Sequence, residues 1–521
     1  MKMRKAWAGV AAVAAAALVG ALGAAPSPAF AATDAATLQN EINAGGTVEL
    51  KNDITGSITV PENVTVTLNL GSHKLTNTDG QHTITNNGTL TITGGGTVDN
   101  VSHARAAVYN NVGATATLGA ASYTRSLENG VSKEDNGGNS YYNVVNQGTM
   151  TIESGAVVEQ SGHFSSLIEN GWYDGTQNTN KAASKLTING GSFSGGINTI
   201  KNDDWGDLTI EGGTFSNTSQ AAILNWNVAT ISNGDFSVSD DAECVVMNGC
   251  APGSDSDKGE LTVTGGTFKA SGNGSGTIFG GFYKGNRDNN GTVTVTDGEF
   301  NGKIANDVVQ TTVSGGTFSD ENVIKHVAAG DAVVKSTNGF SVMPDGDAGN
   351  TSLAKIKVNG TNVYFDSVDD AKAYAKEKGY SEEDVEVVNY VVTFVANGET
   401  TDVYLIKAGK PLGELPKIPE YEGHTVDGWY VGVTEGADGS ATGTKIDETY
   451  VPTGDTTVTA MWTENPVTPS TPAADTKPAA EAPKKALPQT GDNTDVVLPA
   501  VIAGVGIVVI AAALIVRRRH N

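Results

Sequence analysis

Apolar and polar positions alternate in short runs that end at glycine, and one phrase keeps returning. It reads GTLTITGGGT from Gly88, GDLTIEGGTF from Gly206, GELTVTGGTF from Gly259 and GTVTVTDGEF from Gly291. Aligned on the second residue of the glycine pair, the copies fall at Gly95, Gly155, Gly191, Gly213, Gly234, Gly266, Gly298 and Gly316, with spacings of 60, 36, 22, 21, 32, 32 and 18. Five and three residues earlier stand Leu90/Ile92, Met150/Ile152, Leu186/Ile188, Leu208/Ile210, Leu261/Val263 and Val293/Val295. Residues two apart share one face of a strand, so each pair points inward and the residue between them points out. Two residues after the glycine come Phe193, Phe215, Phe236, Phe268, Phe300 and Phe318, which at strand spacing predict an aromatic ladder. Nine residues before it, Asn86, Asn146, Asn225 and Asn289 predict a second ladder, of amides that satisfy buried turns. Constant strands with variable loops predict a solenoid. The 60-residue gap is expected to hold a further coil and an insertion around 122–139. DAATLQNEIN, with Leu38 and Ile42 four apart, predicts a short helix over the first coil.

The register resembles that of right-handed parallel β-helices of the pectate-lyase-like type, over about residues 33–340. The expected fold class is mainly β. A β-helix over 32–350 is followed by small α+β and β-grasp-like modules, a disordered Pro-rich linker and a C-terminal transmembrane helix.

After residue 350 the composition changes. SVDD at 367–370 has the spacing of a capping box and Gly379 stops the helix it starts, so 351–388 reads as a strand–helix spacer. The 389–463 segment carries VTF at 392–394, Gly409, Leu415-Pro416, Pro419, GWY at 428–430 and TVTAMW at 457–462. It resembles the Listeria–Bacteroides repeat, with Val426 where that family has an aromatic. Trp429 and Trp462 are large enough to core so small a domain. The resemblance implies adhesion or spacing. Five prolines in 464–486 predict an extended linker, up to ~70 Å long.

The ends of the chain suggest where it works. Residues 1–5 are basic, 6–25 are small and apolar, and Ala29-Phe30-Ala31 offers a peptidase site, so 1–31 reads as a secretory signal cut between Ala31 and Ala32. At the other end, 496–516 is uncharged and Arg517, Arg518 and Arg519 follow it. As a helix those residues reach ~31 Å, enough to cross a bilayer core. Just upstream stand Leu487, Pro488, Gln489, Thr490 and Gly491. Together, 487–521 resembles the LPxTG sorting signal of Gram-positive surface proteins. The resemblance implies sortase as a partner, cleavage between Thr490 and Gly491, and transfer of the Thr490 carbonyl to the peptidoglycan cross-bridge.

Charge narrows the ligands. The chain carries −25; removing Lys2, Arg4 and Lys5 leaves −28, and losing Asp492, Asp495 and three arginines leaves −29. So acidic a protein is a poor partner for nucleic acid. Cys244 and Cys250 in CVVMNGC form a candidate disulfide; two thiols without a His-rich neighbourhood do not make a metal site, and no cofactor is expected.

Parallel β-helices include polysaccharide-cleaving enzymes. Asn202-Asp203-Asp204 is similar to part of the polygalacturonase signature, but His163 is followed by Phe164 and no Arg-x-Lys occurs in the solenoid. Asp204 falls in the column of the asparagine ladder, which assigns it to a turn. The acidic groups Asp240/Asp241/Glu243 and Asp255/Asp257 have no nearby base and read as solvated loops. Glu448 begins ETYVPTG, a loose match to a pilin E-box, without the lysine motif that polymerises pilins. In the next column, eight before the glycine and mostly polar, two consecutive coils carry Trp205 and Trp226. With Asp203, Asp204 and Asn225 they form a candidate glycan patch, since sugar CH faces stack on indoles. The chain therefore reads as a wall-anchored adhesin or glycan-contacting platform, directed at host or environmental glycans. A surface polysaccharide lyase or glycoside hydrolase is the alternative, and a passive spacer the third reading. A carboxylate cluster beside a base on one solenoid face would separate them, and the sequence alone does not assemble one.

Overall fold

The computed structural model describes residues 30–466 apart from 103, 127–140, 161, 163–164, 174, 240–241, 250–258, 272–275, 282–290, 306–308 and 438–439. Residues 1–29 of the expected leader, 467–486 of the linker and the whole sorting signal, Leu487 to Gly491 and the expected membrane span included, lie outside the described residues, as do His163, Asp240, Asp241, Cys250, Asp255, Asp257 and Asn289. Among the described residues no helix is long and apolar enough to cross a membrane. Two compact units are present: one holds 30–349 and 355–384, the other 350–354 and 385–466.

The first unit is a parallel β-helix. Each coil contributes one short strand to each of three sheets, in the order seen at Thr89–Thr93, Thr97–Asn100 and Val108–Asn110 before Thr115–Leu118 begins the next coil. The first sheet stacks twelve strands, from Phe30–Ala32 to Gln310–Val313, and the second stacks ten, from Ile58–Val60 to Lys303–Ala305. The inward pairs stack in register as expected: Leu186 on Leu208, Ile188 on Ile210, Leu261 on Val293. The 60-residue gap does contain a coil, with Ala116 and Leu118 in the inward pair. Its second strand, Ser122–Arg125, occupies the start of the segment expected as insertion.

Both ladders form. The phenyl rings from Phe193 to Phe318 stack at 4.7–5.0 Å and within 11° of parallel. The amide ladder is longer than expected and differently composed: from Asn86 through Asn110, Asn146, Asn170, Asn202 and Asn225 to Asn248, each Nδ2 donates to the Oδ1 of the next asparagine, six bonds of 2.7–2.8 Å. Each Nδ2 also donates to backbone carbonyls, as Asn202 does to Val228 at 2.9 Å, so the buried corner is satisfied. In the coil of Gly213, Asn202 holds the ladder position. Asp204 does not: its assignment to that column is corrected by a two-residue lengthening of the corner.

Each end of the stack is closed. Helix Ala35–Ala44 starts at Asp34, whose carboxylate accepts from the Thr37 N–H, and buries Leu38 and Ile42. Its Gln39 exchanges two 2.8 Å hydrogen bonds with the backbone of Thr59, on the edge strand of the second sheet. Ala31 and Ala32, which flank the expected signal cleavage, lie in a strand paired with Gly46–Leu50. At the far end, Gly339–Pro344 pairs antiparallel with Gly316–Phe318, and the third sheet continues through Asp331–Ser336, Thr361–Phe365 and Ala354–Val358. Much of the segment expected as a spacer is thus part of this sheet. Helix Val368–Glu377 opens on Ser367, which accepts from the Asp370 N–H, and its Tyr374 hydroxyl donates to Glu321 at 3.0 Å. Changing strand direction removes the open parallel edge that would invite another chain.

The second unit is a five-stranded sheet in the order Glu399–Lys407, Asn389–Ala396, Thr456–Glu464, His424–Glu435, Ala441–Lys445. Only the pair of Asn389–Ala396 with Thr456–Glu464 is parallel. Phe394 and Trp429 meet edge to face at 5.0 Å in its core, and the Trp429 indole donates to the Pro416 carbonyl at 2.8 Å. Trp462 packs at the margin of the same core.

Candidate functional site

The residue before each ladder asparagine faces outward, because neighbours along a strand alternate. On the second sheet this outer row runs Thr85, Tyr109, Val145, Glu169, Lys201, Leu224 and Met247. Glu169 and Lys201 are therefore neighbours on adjacent parallel strands. The corner after Asn202 turns the backbone so that Asp203 joins them: Asp203 donates its N–H to the Asn170 carbonyl at 2.9 Å, and Trp172 donates to the Asp204 carbonyl at 3.2 Å. Gly171 permits this approach, since its φ is 118° and a Cβ there would lie 2.4 Å from the Asp204 carbonyl oxygen.

The result is a buried acid–base cluster. Lys201 Nζ pairs with Asp203 Oδ2, and their side chains are only 7% and 0% exposed. Glu169 is 4% exposed and its carboxyl lies against Asp203 and the Tyr142 hydroxyl. Burial pushes Glu169 well above the usual carboxylate range, and the adjacent Asp203 charge adds to the shift. Burial also raises Asp203, against the pull of Lys201. Two acids and one base share the cluster, and a proton retained on Glu169 leaves Lys201 and Asp203 as a neutral pair.

Aromatic rings surround these groups. Lys201 Nζ stands 4.5 Å from the Trp226 ring centroid and 5.0 Å from that of Tyr173. Tyr173 is 76% exposed, whereas Trp172 beside it is buried. Toward the N-terminal coils the aromatic row continues through Tyr142, Tyr141, Tyr109 and His82, with ring separations of 4.5–6.4 Å. Burial lowers His82 to about 4, helped by Arg105 and Arg125, so it is neutral near pH 7. Toward the C-terminal coils, Leu224, Met247, Ala221 and Cys244 form an apolar patch under Trp226. Cys244 is a free thiol, and its burial pushes its pKa upward.

The expected glycan patch is only partly assembled. Trp205 and Trp226 are both partly buried, and they do not occupy equivalent positions. Trp226 directly follows ladder residue Asn225, whereas Trp205 lies three residues after Asn202, with φ 64°, and its ring faces Lys181 at 5.6 Å. Asp203 and Asn225 are fully buried and Asp204 is 7% exposed, so none of the three offers an open polar surface. Sequence reasoning missed Glu169, Lys201, Tyr142 and Tyr173. Among the described residues no group of three His, Cys, Asp or Glu side chains converges as a metal site. No known family model matches the chain, and neither a curated protein nor a solved structure matches it.

Proposed function

We propose that this chain is a surface protein of a Gram-positive cell, exported by its leader, joined to peptidoglycan through Thr490 by a sortase, and using its β-helix as a rigid glycan-contacting platform of an adhesin. The pectate-lyase-like and Listeria–Bacteroides-like readings of the two units belong to the same proposal. LPQTG followed by an apolar span and three arginines supports the anchoring. Glycan contact rests on one arrangement: Tyr173, Lys201 and Trp226 are held together on the outer face of the second sheet, with Tyr173 open to solvent. Rings fixed on ladder-stacked coils lose little freedom when a sugar stacks on them.

A glycan array with residues 32–463, beside a Tyr173→Ala/Trp226→Ala variant, tests this reading. Binding that the variant loses at least tenfold is the expected outcome. Binding unchanged in the variant, or none at all, overturns it.

The second reading, a polysaccharide-degrading enzyme, is favoured by the paired carboxyls of Glu169 and Asp203 with Lys201 beside them. Their burial counts against it, because a general acid must reach its substrate. Cleavage of an array glycan that Glu169→Gln abolishes would establish the enzyme.

A further inference from the structure

Lys201, Asp203 and Glu169 meet one another more closely than any of them meets solvent. The Lys201 amine and the Asp203 carboxyl are in direct contact, and both are buried. Asp203 Oδ2 makes no aligned hydrogen bond despite that contact, and Glu169 Oε1 likewise lacks a hydrogen-bond partner. The second Asp203 oxygen, Oδ1, accepts the Asp204 N–H at 3.0 Å. Glu169 lies against the Asp203 carboxyl from the neighbouring strand, and the Trp226 and Tyr173 rings flank the amine. An amine, a carboxyl and a second acid are thus held together in a water-poor corner of the outer face.

We propose that Lys201 and Asp203 condense into an intramolecular amide, with Glu169 as the proton carrier. Within the ion pair the ammonium passes one proton to the Asp203 carboxylate, because a neutral amine and acid are easier to bury than two charges. The Nζ lone pair then adds to Asp203 Cγ, and the carbonyl electron pair moves onto Oδ1, where the Asp204 N–H receives it. Glu169 gives its proton to the Asp203 hydroxyl as the C–O bond breaks, and takes one back from Nζ. An ammonium and a carboxylate become an amide and one water, with charge and atoms balanced and no oxidant required. Burial supplies Glu169 in the protonated form that the step uses. Holding the reactants in contact replaces the activation a free acid and amine would need. The product closes a ring over the corner between strand Asn198–Asn202 and Trp205.

Tryptic mass spectrometry of the reduced, unfolded full-length protein decides the matter. A free Lys201 is cut, giving peptides 186–201 and 202–258. The amide removes that cleavage site and leaves a single 186–258 peptide, lighter than its sequence mass by one water. A cyclised Asp203 imide would also lose water but would leave Lys201 cleavable. The single lighter peptide is expected, with Asp203→Ala restoring both ordinary peptides. Ordinary 186–201 and 202–258 from the natural protein overturn the proposal. Glu169→Gln should also restore them; loss of the water in that variant would overturn the role given to Glu169.

Discussion

The β-helix stacks like on like, whereas the C-terminal unit uses each large side chain once. Phe236 has a phenyl ring above it and another below, each 4.7 Å away. Trp429 has no such copies; it packs against Phe394 and ties down the loop at Pro416 through its indole N–H. In the first arrangement stability is a sum over rungs, each supported by its neighbours. In the second it is concentrated in one cluster. The contrast predicts how damage spreads: along the ladder it is shared, and in the small sheet it is not.

The largest effect is therefore expected from Trp429→Ala. A buried Trp truncated to Ala costs about 3–5 kcal/mol, a large share of what holds a small domain together. Protease susceptibility within 389–463 should rise sharply, and the circular-dichroism signal of the β-helix should keep its melting temperature. Coincident loss of both units would break the comparison. A smaller effect separates the middle of the ladder from its end. Phe236→Ala removes a ring with two stacked partners, and Phe318→Ala one with a single stacked partner. The first should cost about 4–5 kcal/mol and the second about 1 less, by the usual range for buried Phe and aromatic pairs. Urea titration of the two variants measures the difference. Equal losses would mean that the rungs do not share their load.

The same contrast explains what could be read in advance. Stacked columns leave a period in the sequence, so the inward aliphatic pairs and the phenylalanine ladder were legible from Leu90 to Phe318. The capping helix at Asp34 and the Ser367 cap were legible too, because local hydrogen bonds fix them. The amide ladder was half read, since columns counted back from the glycine slip when a corner lengthens, as it does between Asn202 and Gly206. Counting forward from the strand would have kept register: ITN, VYN, VVN, IEN, IKN, ILN and VMN each end on a ladder asparagine. That motif also exposes the outer row, because its middle letter faces out. Glu169 and Lys201 are middle letters of successive copies, which makes them neighbours. Asp203 was placed in the patch, but its burial was not legible, because it depends on how loops from separate coils fold over the sheet.

That outer row is where the β-helix stops stacking like on like, and its sensitivity should be to pH rather than to volume. Glu169 is held protonated chiefly by its burial, so its folded pKa lies above the ordinary 4.5. Above about pH 4.5 the unfolded chain releases this proton while the folded chain keeps it, so the folded state binds more protons and stability falls as pH rises. The contribution is complete below the unfolded pKa and is lost as pH climbs through the raised folded value. Glu169→Gln keeps a neutral side chain of the same shape and has no proton to lose. Urea midpoints measured from pH 5 to 9 should therefore decline less steeply in the variant than in the natural protein. Parallel curves would place the Glu169 carboxyl in contact with water and return the outer face to the same like-on-like rules as the interior.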